Sequence, residues 1–445
     1  MKRLPSAGMA AMKIVGEAQP ELPLTRSNRW DDLPSAKVKR PKKSDPFSWA
    51  YTYTGYSVDF AIQALLRLGV TRKAMVLDPF VGSGTSLLAC SLLGCGGHGV
   101  DISPFSLLLS RSRIAWRPDE RLVFKYLKTK SSTHEDRHSS KDVLRPNDAS
   151  YVEGVVQAIC KGRSVTPQTL WRKLMNDTTG RFDSEVVALL SMALGARDST
   201  RLEKGSNPIW YRRVESQTES SQASLRISAA NWAKTISHDL LSAPEAGRKD
   251  ITIQQHDFTT LKTTKRYDLC LTSPPYMNRL DYVVAHLPEL SVLQHLIPFN
   301  LDQLRSDMIG TTRAVRKYHT EQTEGWGDRC RETLNSIYNH ASYASQRYYY
   351  HIHADYFRRL SATILQLARL MKDRAEGIVV LQDSFYKDIK IPTPQICAEM
   401  LNNAGFESSI VRTTSVKAHM GRLSPAQTLY APEKILGESV VYFSR

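Results

Sequence analysis

Leu77-Asp78-Pro79-Phe80-Val81-Gly82-Ser83-Gly84-Thr85-Ser86 is the stretch on which the fold of this chain turns. The apolar run before it, 74–77, predicts a short buried strand, and TSLLACSLLG after it predicts a helix over 85–94 with Gly94 as its stop. GHGVDI then gives a second strand ending at Asp101. Strand, glycine turn, helix and strand in this order begin a parallel α/β sheet. Gly82 and Gly84 let the backbone approach a ligand closely, and the helix start offers unpaired N–H groups. A phosphate, a nucleoside or an amino-acid carboxylate could use that arrangement. A Walker A loop would need a lysine after the second glycine, and a dinucleotide fingerprint would need a third glycine where Leu87 stands.

Outward from this centre the chain divides into four parts. Residues 1–44 read as a flexible basic arm ending in the run Lys37 to Lys43, a solvated tail or a phosphate-backbone contact. Residues 45–117 hold the glycine turn, preceded by the amphipathic stretch SVDFAIQALLRLG. Residues 118–245 are polar and serine-rich between apolar helical pieces such as VVALLSMAL, and read as a mainly helical insertion that could recognise a target. Residues 246–445 resume the sheet with ITIQQHDF, YDLCLTSPPY, GIVVLQDS, SSIVR and ESVVYFS as strands. DYFRRLSATILQLARLM and PTPQICAEMLNNAGF are the helices between them. Within this part, 277–350 carries Arg313, Arg316, Lys317, Arg347 and Tyr348-Tyr349-Tyr350. Such a mixture suits phosphate contact and base stacking, as well as a helical lid over the sheet.

The second motif is Ser273-Pro274-Pro275-Tyr276, directly after an apolar strand. Two prolines lock the backbone and remove two N–H donors, so the loop presents acceptors. Acceptors favour a reacting group that must shed proton density, and Tyr276 adds a flat aromatic face.

DPFVGSGT and TSPPY, in this order, resemble motifs of the amino-methyltransferases, the enzymes that make N4-methylcytosine or N6-methyladenine in DNA. The resemblance covers about 45–117 and 250–445. It implies a Rossmann-like class I methyltransferase sheet, mostly parallel with an antiparallel last strand. S-adenosylmethionine would be held by Asp78, Phe80, Gly82, Ser83, Gly84 and Thr85. Asp101 would take the ribose hydroxyls and Asp257 would lie near the adenine amino group. YTYTGYS is similar to the family's segment at the methionine end, which points to Thr54 and Ser57. Ser273, Pro274, Pro275 and Tyr276 would form the catalytic loop for direct in-line transfer to a flipped base, with no metal and no covalent intermediate. Family members with serine at the first loop position commonly act on N4 of cytosine. C5-cytosine chemistry needs a nucleophilic cysteine, usually after proline, and no Pro-Cys occurs here.

Bulk properties agree with a nucleic-acid partner. The 445 residues carry 60 Lys+Arg against 44 Asp+Glu, a formal charge of +16. The six cysteines form no CxxC pair, and no signal-peptide core or membrane-length apolar run occurs, so a cytoplasmic location is expected. The expected activity is site-specific methylation of cytosine N4 in double-stranded DNA, by the modification half of a restriction–modification system or by a solitary enzyme. N6-adenine methylation, an RNA substrate, and a non-catalytic nucleic-acid-binding module on the same fold are the alternatives.

Overall fold

The computed structural model describes residues 29–36, 49–50, 55–116, 118–130, 143–144, 146–199, 202–204, 211–213, 224–242, 250–277, 280–311, 313, 325–416 and 436–445. The Lys37–Lys43 run, Thr54, Arg316 and Lys317 lie outside them.

Helix α1 (Val58–Arg67) leads into strand β1 (Met75–Asp78), helix α2 (Thr85–Leu93), strand β2 (Gly96–Asp101) and helix α3 (Pro104–Arg113). The insertion follows as α4 (Glu120–Leu127), α5 (Pro146–Arg163), α6 (Pro167–Asn176), α7 (Asp183–Ser199), a hairpin of β3 (Leu202–Lys204) and β4 (Tyr211–Arg213), and α8 (Leu225–Ser242). The sheet resumes with β5 (Ile251–Gln255) and β6 (Tyr267–Thr272). Short helices α9 (Tyr282–Ala285), α10 (Leu287–Leu293) and α11 (Leu301–Asp307) come next, then α12 (Asp328–Asn339) and the long α13 (Tyr350–Leu370). Strand β7 (Met371–Gln382), a hairpin of β8 (Ser384–Tyr386) and β9 (Ile389–Ile391), α14 (Thr393–Asn403), β10 (Glu407–Val416) and β11 (Leu436–Ser444) complete the chain.

Seven strands form one sheet in the order β10-β11-β7-β6-β1-β2-β5. The pairs from β5 across to β7 are parallel. β11 is antiparallel to both β7 and β10. This is the class I methyltransferase sheet expected from the sequence, including its antiparallel last strand. Strand order reverses between β1 and β6, and open α/β sheets bind ligands in the crevice at such a switch point.

The sheet is buried on both faces, because successive side chains of a strand point to opposite sides. Val76, Leu269, Leu271, Ile378 and Val380 join the core under the insertion helices. Leu77, Cys270, Val379, Leu381 and Val441 join the core under α12, α13 and α14. Helix α7, buried along most of its length, is the centre of the insertion. The fully buried Arg111 on α3 binds it to the sheet domain: its guanidinium donates to Asp177 and Asp183, both at 3.1 Å, and to the Leu174 carbonyl.

Gly84 caps α2 in the left-handed region at φ +83°, and a Cβ there would stand 2.3 Å from Ser110 Oγ and 2.8 Å from Ser110 Cα. Both the dihedral and the contact exclude a side chain. Gly84→Ala is therefore expected to destabilise the fold by about 1–3 kcal/mol, seen as a fall of several degrees in a circular-dichroism melt.

Candidate cofactor and catalytic site

Everything that lines the main cleft sits at the ends of β1, β2, β5 and β6, or on the helices around them. Asp78, which ends β1, is buried and works as a hub. It accepts hydrogen bonds from the Phe80 amide at 3.1 Å, Thr272 Oγ1 at 2.7 Å, the Ser86 hydroxyl and, more loosely, the Tyr56 hydroxyl at 3.5 Å. One carboxylate thus joins the first strand, the helix after the glycine turn, and the strand that delivers Ser273. Burial raises its pKa to about 6, against the opposing pull of the Ser86, Thr272 and Phe80 hydrogen bonds.

Asp101 organises the turn itself. One oxygen accepts the Gly82 amide and the other the Ser103 amide, both at 2.9 Å. Burial lifts its pKa to about 6 as well. The turn is fixed further by Val81 N–H to the Val100 carbonyl and by Arg113, which donates to the Ser83 carbonyl at 2.8 Å. No side chain caps α2, so its first-turn amides face the turn without a side-chain acceptor. Asp257 lines the same cleft and turns its carboxylate toward Thr259, accepting from both its amide and its hydroxyl.

The Ser273–Tyr276 loop enters from the other side. Ser273 and Pro275 line the cleft. Ser273 Oγ is buried and makes no hydrogen bond of normal geometry, although it lies near enough to Tyr276 to pull that phenol's pKa down slightly. Tyr276 is buried away from the cleft and donates to Glu438 Oε1 on β11 at 3.0 Å. Burial first, then the Glu438 carboxylate, push its pKa well up. The Pro275 carbonyl accepts from the Tyr356 hydroxyl on α13 at 3.0 Å. Two tyrosine hydroxyls therefore brace the loop from behind.

Of the residues singled out by sequence, the cleft gathers Asp78, Phe80, Gly82, Ser83, Thr85, Asp101, Asp257, Ser273 and Pro275. Gly84, Pro274 and Tyr276 lie behind it. Ser57 is turned elsewhere: its hydroxyl caps α1 by accepting the Phe60 amide at 3.2 Å. The wall also holds Tyr56, from the YTYTGYS stretch but not singled out within it, and His256, Phe105, Tyr282, His286 and the Arg358–Arg359 pair, to which no motif pointed. Both arginines are held by the buried Asp355, and Arg359 also ties down the Ser306 and Asp307 carbonyls at the end of α11. The phenyl and phenol rings in the cleft are those of Tyr56, Phe80, Phe105, Phe258 and Tyr282. The wall sets four aspartates (Asp78, Asp101, Asp257 and Asp307) against the two arginines Arg358 and Arg359.

Comparison with known proteins agrees with this geometry. Over 397 residues the chain is 23% identical to the type II methyltransferase M.AvaI of Nostoc sp., a match spanning 82% of this chain and 80% of that protein. The same enzyme of Anabaena variabilis matches equally. The type II methyltransferase M.BsoBI of Geobacillus stearothermophilus is 24% identical over 57% of this chain and 53% of its own length. The chain is a distant relative of the type II methyltransferases.

No family model matches the chain. Among solved structures, the rRNA methyltransferase aviRa of Streptomyces viridochromogenes covers 92% of this chain and 96% of its own at 11% identity, with a TM-score of 0.30, too low to bear on fold or function. Among the described residues, no helix is long and apolar enough to cross a membrane.

Proposed function

We propose that this chain is an S-adenosylmethionine-dependent DNA methyltransferase acting on an exocyclic amino group, cytosine N4 in preference to adenine N6. The observation that supports it most is the meeting of the Gly82–Gly84 turn, Asp101 and the orphaned Ser273 hydroxyl in one cleft at the strand switch point. The relationship to type II methyltransferases supports the reaction class and DNA as substrate.

The residues present fit the cofactor. The turn is shaped by positive φ at Gly82 (+48°) and Gly84 (+83°), with Gly82 in the cleft wall, and Asp101 has lone pairs left for hydroxyl donors after taking two amides. Gly82, Ser83, Thr85 and the open start of α2 would hold the amino-acid end, and Asp257 with Phe258 the base. When bound, S-adenosylmethionine supplies an electrophilic methyl group on a sulfonium.

The chain's own contribution is placement and charge stabilisation. Ser273 Oγ would accept a hydrogen bond from the attacking amine, whose nitrogen gains positive charge as the bond to carbon forms and then releases a proton to solvent. The Pro275 carbonyl, which also lines the cleft, keeps a second lone pair beside the one that Tyr356 engages. Tyr276, gripped by Glu438, holds the loop in register rather than offering its face, and the base is sandwiched by an aromatic wall such as Phe80 or Tyr282. The serine at the head of the loop favours cytosine.

The test is transfer of a labelled methyl group from the cofactor to DNA and to RNA, with the product nucleoside identified by mass. N4-methylcytosine in DNA is expected. N6-methyladenine would correct the base, methylated RNA alone would correct the substrate, and no transfer to either would overturn the proposal.

A further inference from the structure

We infer that Tyr343, Arg347 and Tyr348 form a stacking platform for unpaired nucleobases beside the catalytic edge of the sheet. The inference rests on the nucleic-acid methyltransferase activity proposed above and names a surface that activity would use.

Tyr343 is 80% exposed, the most exposed large apolar or aromatic side chain among the described residues. It is nonetheless held in place. The Arg347 guanidinium lies 4.9 Å from its ring centroid and donates to its hydroxyl at 2.7 Å. Arg347 forms no ion pair with a carboxylate among the described residues, so its charge stays available beside the ring. Tyr348, also exposed, packs edge-on against Tyr349 with ring centroids 5.1 Å apart, and Tyr349 packs against Tyr386 at 4.8 Å. The Ser345 hydroxyl bonds to the Tyr386 hydroxyl underneath. Tyr348 thus stands on a layer of buried and half-buried aromatics anchored to the β8–β9 hairpin, while Tyr343 is held by Arg347.

Position supplies the second argument. Residues Ser345–Tyr349 form a π-helical turn, a rare geometry concentrated at functional sites, and it runs directly into α13. Eight residues beyond Tyr348, about 12 Å at the rise of a helix, Tyr356 of α13 grips the Pro275 carbonyl of the loop that carries Ser273. The hairpin below the platform follows the end of β7, the parallel neighbour of the strand that delivers Ser273. A duplex offering a base to Ser273 must lie across this edge. Lifting that base out leaves its neighbours and its former partner unstacked, and aromatic rings flanked by arginine are the surfaces that accept such bases.

Anisotropy of fluorescein-labelled duplexes, one fully paired and one with a central mismatch, made in DNA and in RNA, tests this on the full chain. Replacing both Tyr343 and Tyr348 by alanine is expected to weaken binding of the mismatched DNA roughly ten- to hundred-fold. The loss on the paired probe is expected to be smaller, and cofactor affinity by calorimetry unchanged. Phenylalanine at both positions restores binding, because the ring face and not the hydroxyl makes the contact. Retained affinity in the alanine pair, an equal loss with the phenylalanine pair, or an equal loss on paired and mismatched probes overturns the platform. So does a wild-type chain that binds neither mismatched probe. An RNA-only effect keeps the platform and moves the substrate to RNA. Absence of methyl transfer by a wild-type chain that still shows the tyrosine-dependent binding would sink the enzyme proposal alone.

Discussion

Asp101→Ala is expected to weaken S-adenosylmethionine binding by a factor of one hundred or more, measured by isothermal titration calorimetry. Both carboxylate oxygens already accept backbone amides, Gly82 on one and Ser103 on the other. Truncation therefore removes the acceptor proposed for the ribose and also releases the turn proposed to hold the rest of the cofactor. Hydrogen bonds to a charged group contribute roughly 1.5–3 kcal/mol each, and the loss of two reaches the hundred-fold range. Asp101→Asn is expected to fare little better, because its NH2 group would face one of the two amide donors. Binding within about threefold of wild type in the alanine variant would remove Asp101 from the cofactor site.

The same residue sets a pH dependence with opposite signs for binding and for folding. The folded pKa of Asp101 is about 6, above its ordinary value of 3.8, because burial disfavours the charge. The folded chain then holds this proton more tightly than the unfolded one, so the contribution of Asp101 to stability is fully present below about 3.8 and is lost as pH rises through about 6. Asp78 acts in the same direction over the same window. Cofactor binding uses the ionised carboxylate and should fall as pH drops below about 6. The thermal shift given by the cofactor is accordingly expected to grow from pH 5 to pH 7 while the melting temperature of the free chain loses the two carboxyl contributions.

Ser273→Ala is expected to lower kcat by roughly 10²–10³, the range found when one preorganised hydrogen-bonding group is lost from a transition state. Cofactor affinity should stay unchanged, since no bond of Ser273 reaches the turn. Stability should hold or rise, because the wild-type hydroxyl is buried without a partner and an orphaned buried polar group costs about 1–3 kcal/mol. A slower but no less stable variant is the signature of a group placed for the reaction and not for the fold. Stopped single-turnover methylation with the cofactor saturating reads the effect directly. A rate within threefold of wild type would remove Ser273 from the chemistry. Tyr276→Ala is a poorer probe of catalysis: it empties a buried site and removes a hydrogen bond from Glu438, so lost activity would report the loop's collapse as much as its chemistry.

Much of this site was legible in the chain because it is local. Asp78, Gly82, Gly84 and Thr85 fall within eight residues, and a strand, a positive-φ turn and a helix start are short-range events. Asp101 follows from the next strand's end, and Ser273 from a proline pair after an apolar run. The misplacements were equally physical. Ser57 reads as a ligand residue, yet a serine before an apolar helical run has a competing use as a helix cap, and that use prevails here. Tyr276 reads as an exposed ring, yet a carboxylate 162 residues away on β11 draws its hydroxyl inward. Nothing in the spacing of Arg358, Arg359 or Tyr356 separates them from other residues of an amphipathic helix.

By itself the amino-acid sequence determined the α/β alternation, the glycine turn, the acid at the end of the second strand and the acceptor loop, since each depends on backbone preferences within about ten residues. Tertiary structure alone decided which groups are spent on holding the site and which remain open to a substrate. Asp78 is engaged by Phe80, Ser86 and Thr272, one lone pair of the Pro275 carbonyl by Tyr356 and the Tyr276 hydroxyl by Glu438, while Ser273 Oγ is left without a partner. That allocation depends on distances between segments up to about 200 residues apart, which strand order and helix packing fix and local propensity does not.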